Sequence, residues 1–160
     1  MRYLGNKVGN GLAIGKVLVI RNQIPEIKEW NLVDVNEKEN EKKRVLDIVK
    51  AVISDYERVM NEAEEPEIKD LCGFYRTLLM SGSLQKAMTD KIELEDYNVF
   101  GAIKVVMSEK EKELSLIDNE YLRERSKDIA DVTNKLLRKG LGIKELDLAH
   151  LTEDTILVSE

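Results

Sequence analysis

With 160 residues, of which 42% are hydrophobic and 35% charged, the chain is long enough for one domain with a real core and too apolar to be disordered. The formal net charge of −6 argues against the strongly basic class of nucleic-acid-binding domains, so no nucleic-acid partner is expected. The single cysteine, Cys72, rules out an internal disulfide, and no apolar run approaches the length of a membrane span, so we expect a cytoplasmic protein without a membrane partner.

Short β-strands are predicted near both ends of the chain. The run "AIGKVLVI", Ala13 to Ile20, is rich in β-branched residues and follows a glycine-rich turn. The run "TILVSE", Thr155 to Glu160, has the same character. Because nearly everything between these runs has helical patterning, the sequence predicts one small sheet with a helical segment inserted between its two strands. A sheet of two strands is marginal alone, so we expect further strands after Glu160.

A long first helix is predicted from about Val35 to Ala63. Asp34 precedes Glu37 by three positions, which is the spacing of a capping box. Apolar residues then alternate spacings of four and three, which is typical of a helix that packs along its whole length: Val45, Val49, Val52, Tyr56, Val59 and Ala63.

Further helices complete an antiparallel bundle in this interpretation. The second helix has Pro66 in its first turn, where the missing N–H group costs nothing, and it ends at "SGS", from which Ser83 caps the next helical segment. Another helical run follows Asn98. The last helix is predicted to start at its cap Asp118 and to stop at Gly140.

The last predicted helix has two faces of different composition. Its core stripe is apolar and consists of Leu122, Ile129, Val132 and Leu136. Tyr121, Arg125 and Asp128 share another side of the same helix. Exposed tyrosine and arginine are favoured as interface anchors, whereas a single exposed aromatic ring can equally well cover the end of a bundle. The residues alone leave both interpretations open.

Side chains suited to catalysis are scarce. We assign the one histidine, His150, to a loop before the last strand, without a partner for acid–base chemistry, and Cys72 to the apolar side of its helix as a structural thiol. Gly9, Gly11 and Gly15 precede a strand and not a helix, so they predict a turn rather than a phosphate-binding loop. No Cys/His cluster has the spacing of metal ligands, so no cofactor is expected in this chain.

One segment carries a family resemblance. "LIDNEYLRERSKDIADVTNKLLRKGLG", Leu116 to Gly142, closely resembles a helix of enzyme I of the sugar phosphotransferase system, the phosphoenolpyruvate–protein phosphotransferase, in its Glu-Tyr-Leu, its arginine, its aspartates and its Leu-Leu-Arg. "GLAIGKVLV" resembles the opening strand of that family, and "DLAHLTEDTILVSE" resembles its return segment. The resemblance spans nearly the whole chain, although the middle matches by helix pattern more than by identity.

The resemblance implies a domain organisation. In that family a helical bundle is inserted into a small α/β domain, so we expect a mainly α fold: an antiparallel helical bundle between short terminal β-strands of an incomplete α/β domain. Residues 1–33 would contain the first strand and a linker, residues 34–142 the partner-docking bundle, and residues 143–160 the return segment and the second strand.

The resemblance also implies a function. In the family the bundle docks the phosphocarrier protein HPr, and a histidine in a Gly-Gly-x-Thr-Ser-His motif of the α/β domain takes phosphate from phosphoenolpyruvate and passes it to HPr. His150 does not match this motif, and the chain ends before any such motif. We therefore expect the HPr-docking fragment of a longer phosphotransferase, with no activity of its own. The longer protein would use magnesium and would form a homodimer through regions outside this chain.

The docking residues follow from the resemblance position by position. They combine apolar and aromatic anchors with one acid and one arginine: Glu67, Tyr75, Leu78, Leu79, Leu84, Leu114, Ile117, Tyr121, Leu122 and Arg125. In the family, acidic residues around the second-helix hairpin attract a basic patch on HPr. Here Gly73, Gly82 and Ser83 stand where acids are common, so the electrostatic part of docking is expected to be weak.

Two function classes remain open on sequence alone. The chain is either the HPr-docking region of a phosphotransferase, or a non-catalytic helical interaction module of a divergent relative in which phosphoryl transfer has been lost. A relative of the pyruvate phosphate dikinase type is disfavoured, because the Glu-Tyr-Leu helix is characteristic of the sugar-system enzyme. A histidine in a glycine-rich Thr-Ser-His context after Glu160 would discriminate between the first two classes.

Overall fold

The structure is a computed structural model, and it describes residues 14–20, 24, 34–143 and 155–159. Its contacts divide the chain into two compact units, one formed by Met1–Gln23 with Glu145–Glu160 and the other by Ile24–Lys144. The boundaries between these two units thus fall at residues 23 and 144. The domain boundaries expected from the family resemblance are residues 33 and 142.

The first unit contains a two-stranded parallel sheet. Strand β1 spans Lys16–Ile20 and strand β2 spans Thr155–Ser159, and they pair in register from Lys16 opposite Thr155 to Ile20 opposite Ser159. Parallel neighbours need a long crossover connection, and here that connection contains the entire helical unit. The predicted insertion of a helical segment between two strands of one sheet is therefore confirmed.

The second unit is a helical bundle. The described helices are α1 (Lys38–Glu62), α2 (Pro66–Met80), α3 (Gly82–Glu95), α4 (Val99–Leu116), α5 (Glu120–Lys127) and α6 (Ile129–Gly140), with one 3-10 turn (Val35–Glu37) before α1. Their inward side chains form one largely aliphatic core, whose largest fully buried members are Leu79, Met88, Ile92, Ile103, Met107, Ile129 and Leu136. The predicted fold class, mainly α with a small sheet, is confirmed.

Several helices start where the sequence predicts them to start. Asp34 Oδ1 accepts a hydrogen bond from the N–H group of Asn36 at 2.8 Å, and this cap opens the 3-10 turn that leads into α1. Pro66 stands in the first turn of α2. Asn98 Oδ1 accepts from the N–H group of Gly101 at 2.9 Å and so caps α4. The first N–H groups of a helix have no partner within it. Here a capping side chain accepts from one of them, or a proline removes one.

Two predicted caps are wrong by one or two residues. The N-cap position of α3 is Ser81, whose side chain makes no capping hydrogen bond, and Ser83 lies inside the first turn, where its hydroxyl is 2.8 Å from the hydroxyl of Ser81. The residue that caps α5 is Asn119 and not Asp118, because Asn119 Oδ1 accepts from the N–H group of Leu122 at 3.1 Å. A capping side chain bonds two or three positions ahead, and here only Asn119 stands at the right offset.

The predicted single last helix is in fact two helices. The N–H group of Asp128 bonds to the carbonyl oxygens of Arg125 and Ser126 instead of the oxygen four residues back, and this tighter turn separates α5 from α6. Helix α6 buries the predicted stripe through Ile129, Val132 and Leu136. Helix α5 is therefore free to take its own direction, and it carries Tyr121.

The stop of α6 is also corrected. Gly140 is still helical, and a Cβ atom on it would lie only 2.9 Å from both Ile48 Cδ1 and Phe100 Cε1, so glycine allows the close approach of α1 and α4. The stop is Gly142, whose φ of 68° lies in the left-handed region that favours glycine. The N–H groups of Gly142 and Ile143 bond back to carbonyl oxygens of the last helical turn, which is a Schellman termination.

Candidate partner-docking surface

Tyr121 lies on the surface of the bundle, beside α2. Its side chain is 48% exposed. The ring stands edge-on to the ring of Phe74 on α2, with centroids 6.4 Å apart and planes at 89°. Arg125, one turn further along α5, places its guanidinium carbon 5.0 Å from the centroid of the Tyr121 ring. Both distances are typical of attractive aromatic and cation–π contacts, so two neighbours fix the Tyr121 ring.

Arg125 is held by a carboxylate across the break between the two last helices. Its Nη1 donates to Asp128 Oδ2 at 3.4 Å, and its Nε is buried without a hydrogen-bond partner within the described part of the chain. The side chain of Tyr121, and secondarily the carboxylate of Asp128, raise the pKa of Arg125, so the group is a cation at any physiological pH. The side chain of Arg125 is 23% exposed, so this cation reaches the surface of the bundle beside Tyr121.

A row of aromatic rings connects this surface to the core. The ring of Phe74 lies 6.0 Å from that of Tyr75, which in turn lies 5.2 Å from the ring of Tyr56 on α1. Tyr56 and Tyr75 are buried. Burial, with a smaller effect of the nearby Asp128 carboxylate, raises the pKa of Tyr75 to about 12. The half-exposed Tyr121 is thus the outer end of a row that is anchored in the bundle.

The ten predicted docking residues fall into two groups. Five are buried in the core of the bundle: Tyr75, Leu78, Leu79, Leu84 and Leu114. Five reach solvent at least in part: Glu67, Ile117, Tyr121, Leu122 and Arg125. The side chain of Leu79 has no exposed area at all, so the buried group supports the surface from beneath and does not present its own atoms to a partner. The structure brings Tyr121 and Arg125 into direct contact.

Phe74 is the residue of this surface that the sequence reasoning missed. It is half-buried and packs against the core while it contacts Tyr121. A signal was present in the sequence, because Leu71, Phe74 and Leu78 are spaced by three and four and therefore share one side of α2. That stripe runs beside the more obvious one through Cys72, and it gives α2 an apolar edge towards α5.

The exposed part of α2 carries apolar side chains together with the charged Glu67, Lys69 and Asp70. Ile68 and Met80 expose 40% and 50% of their side chains. Arg76 is paired with Glu57 of α1, with its Nε 2.7 Å from Oε1. The side chains at the turn between α2 and α3 are the hydroxyls of Ser81 and Ser83. A partner that meets this surface therefore finds apolar, aromatic and hydroxyl groups interspersed with charged ones.

The described residues offer little for catalysis. Within residues 14–20, 24, 34–143 and 155–159, no group of three or more His, Cys, Asp or Glu side chains could hold a metal ion. None of the helices described is both long and apolar enough to cross a membrane. Cys72 is buried, and burial raises the pKa of its thiol, as expected of a structural cysteine. His150 lies outside the described residues, as do Gly9 and Gly11.

The sequence is similar to known proteins over most of its length. The family described as "PEP-utilising enzyme, N-terminal" matches residues 4–125. The phosphoenolpyruvate-protein phosphotransferase of Haemophilus influenzae is 26% identical over 152 residues, or 93% of this chain, and that of Priestia megaterium is 26% identical over 159 residues, or 98%. The phosphoryl donor subunit DhaM of the PEP-dependent dihydroxyacetone kinase of Providencia stuartii is 30% identical over 124 residues, or 76%. The chain spans about a quarter of the length of these relatives, 26% to 27%.

Solved structures share the fold. A solution structure of Enzyme I matches with a TM-score of 0.75 at 20% identity, over 92% of this chain and 60% of that one. The N-terminal domain of Enzyme 1 – Nitrogen matches with a TM-score of 0.70 at 16% identity, over the same shares. Because the family match covers more than half of the sequence, and because enzyme I relatives align with nearly all of it, the chain belongs to the family of PEP-utilising enzymes, N-terminal, and corresponds to the N-terminal region of enzyme I.

Proposed function

We propose that this chain is the phosphocarrier-docking part of a phosphoenolpyruvate-protein phosphotransferase, enzyme I of the sugar phosphotransferase system, and that its partner is HPr or an HPr-like phosphocarrier. The observation that carries the proposal is the Tyr121 surface, where a half-exposed ring stands beside the partly exposed guanidinium of Arg125. Membership of the family and the likeness to enzyme I relatives support this choice of partner.

The contact residues in this proposal are those that reach solvent. Tyr121 is the central anchor, because interface energy concentrates in a few aromatic and arginine side chains. Ile117, 37% exposed just after α4, and the half-buried Leu122 add apolar contact. Arg125 gives orientation through hydrogen bonds, and Glu67 lies at the rim. The five buried residues of the predicted set act through the shape of the bundle.

The chemistry belongs to the parent enzyme in this proposal. A histidine of the longer protein carries the phosphoryl group from phosphoenolpyruvate, with magnesium, and the bundle brings the phosphocarrier to it. This division of roles is supported by the composition, since the chain has one histidine and that residue does not match the phosphoryl-acceptor motif. The parent is proposed to be a cytoplasmic homodimer.

A second candidate has its own support. The 30% identity to the phosphoryl donor subunit of a PEP-dependent dihydroxyacetone kinase raises the possibility that the parent serves that kinase instead of sugar uptake. The docking surface would be the same, and only the carrier would differ. A non-catalytic interaction module is the remaining alternative. A Thr-Ser-His motif in the coding sequence after Glu160 supports either phosphotransferase and counts against the non-catalytic module.

Titration calorimetry with the HPr of the same organism tests the proposal. Tyr121→Ala should weaken binding at least about tenfold, or ~1.4 kcal/mol, with little change in the free energy of unfolding. Leu94→Ala is the matched control, because Leu94 is 75% exposed in the last turn of α3. The neighbouring Glu93 pairs with Lys42 near the start of α1. This variant should bind like the wild type.

Two results would contradict the proposal. One is the absence of any binding of HPr, or of the carrier of the dihydroxyacetone system, at millimolar concentration. The other is a Tyr121→Ala variant that binds as tightly as the wild type while it unfolds far more easily, since Tyr121 would then only cover the end of the bundle.

A further inference from the structure

We propose that Phe74 is a positioning residue for docking: its edge-to-face contact holds the ring of Tyr121 in the orientation that the phosphocarrier binds. This inference rests on the docking function proposed above and adds a residue that the family resemblance does not supply. Phe74 acts through Tyr121, so its effect should depend on the presence of that ring.

Phe74 is well placed for this role because it is itself fixed. It is half-buried on α2, packs against the core, and stands 6.0 Å from the ring of the buried Tyr75. Tyr75 is packed in turn against Tyr56 of α1. The chain has only five tyrosines, two phenylalanines and one tryptophan, and four of these residues form this single row that ends at the surface.

Tyr121 needs such a support because its own helix gives little. Helix α5 has eight residues and is separated from α6 by the tight turn at Asp128. The side chain is 48% exposed, so core packing alone does not select one of its staggered rotamers. Arg125 contacts one side of the ring and is itself held by Asp128. The phenyl ring of Phe74, whose centroid lies 6.4 Å away with the planes at 89°, is the aromatic contact from α2.

A fixed ring binds more tightly than a mobile one. Association must order every rotamer-rich side chain at the interface, and a side chain that is already ordered avoids that loss. Phe74 therefore contributes to affinity without needing contact with the carrier. The contribution is expected to be modest, because one ring and two rotatable bonds are involved.

A double-mutant cycle with the same HPr tests the inference. Phe74→Leu keeps most of the apolar volume and removes the aromatic ring, so it should weaken binding about three- to tenfold, or ~0.6–1.4 kcal/mol. Phe74→Tyr keeps the aromatic ring and should bind within about twofold of the wild type. In a Tyr121→Ala background, Phe74→Leu should have no further effect beyond about twofold, because the ring that it positions is gone.

A second readout does not require the carrier. In the free protein the ring-proton chemical shifts of Tyr121 should be displaced by the ring of Phe74 and should move towards unstructured values in Phe74→Leu. The inference is overturned if Phe74→Leu binds like the wild type, if it weakens binding equally in both backgrounds, or if the Tyr121 ring shifts do not respond. If the ring shifts respond as expected but the wild type does not bind HPr, the proposed partner is wrong and the Phe74–Tyr121 contact stands.

Discussion

The substitution Leu79→Ala distinguishes a core residue from a docking residue most clearly. The residue was expected at the docking surface, yet its side chain is fully buried near the end of α2. Leu79→Ala removes three buried carbon atoms, worth ~2.4 kcal/mol at about 0.8 kcal/mol each before any cavity is counted. With the cavity that remains, the free energy of unfolding should fall by about 3 kcal/mol.

Urea unfolding followed by far-ultraviolet circular dichroism measures this loss. The slope m should stay unchanged, because the substitution alters stability and not the surface exposed on unfolding. Met80→Ala is the matched control, since its neighbouring side chain is 50% exposed, and it should stay within about 0.5 kcal/mol of the wild type. Where Leu79→Ala is still folded, its affinity for HPr should remain within about threefold of the wild type, because a fully buried side chain makes no contact with the carrier.

One pair of results would refute this reasoning. If Leu79→Ala unfolds with less than about 1 kcal/mol of lost stability while its binding of HPr falls tenfold or more, then Leu79 is a contact residue and not a core residue. The division of the predicted docking set into buried supports and exposed contacts would then be wrong.

Three further predictions concern pH, packing and salt. The pKa of Tyr75 is raised from 10.0 to about 12 in the folded protein, so the unfolded chain loses this proton first as the pH rises. The free energy of unfolding should therefore fall between pH 10 and 12, and it should fall by less in Tyr75→Phe. Gly140→Ala should destabilise the bundle by about 1 kcal/mol or more in a thermal unfolding experiment, because the added Cβ atom meets Ile48 and Phe100 at 2.9 Å. Gly82→Ala is the control and should be neutral or stabilising in the same experiment, because its Cβ atom meets nothing within 4 Å. HPr affinity should change little between low and moderate salt in calorimetry, since Gly73, Gly82 and Ser83 stand where the family commonly has acids, and a steep salt dependence would contradict this.

Regular patterns in the sequence predicted much of the fold. The alternating stripe of the first helix does point into the core, with Val45, Val49, Val52 and Tyr56 all buried. The strands were visible as two β-branched runs, and their pairing followed from the helical character of everything between them. Such features are local or periodic, so they can be read from one sequence.

Other features depend on contacts between distant residues and have no local signal. The segment around Asp128 contains neither proline nor glycine, so nothing in it predicted the separation of α5 from α6. Glu41 Oε2 accepts from the N–H group of Val99 at 2.6 Å, so a side chain of α1 caps α4. The pairing of Phe74 with Tyr121 across two helices is of the same kind.

The family resemblance located the candidate site but not the direction of its side chains. Position-by-position transfer identified Tyr121 and Arg125, which share a surface, together with Leu78 and Leu79, which are buried. In a stripe of adjacent leucines, burial is decided by the neighbouring helices, whose packing a single sequence does not give. Only the packed structure separates contact residues from the residues that support them.

Titration of the isotope-labelled chain with unlabelled HPr, followed by NMR, tests the docking surface most directly. The amide and side-chain signals that change should cluster at Phe74, Ile117, Tyr121 and Arg125, while those of Lys42 and Glu93, which pair near the start of α1, should stay unchanged. Changes centred on Lys42 and Glu93, with Tyr121 and Arg125 unaffected at saturation, would contradict the proposal that the Tyr121 surface receives the phosphocarrier.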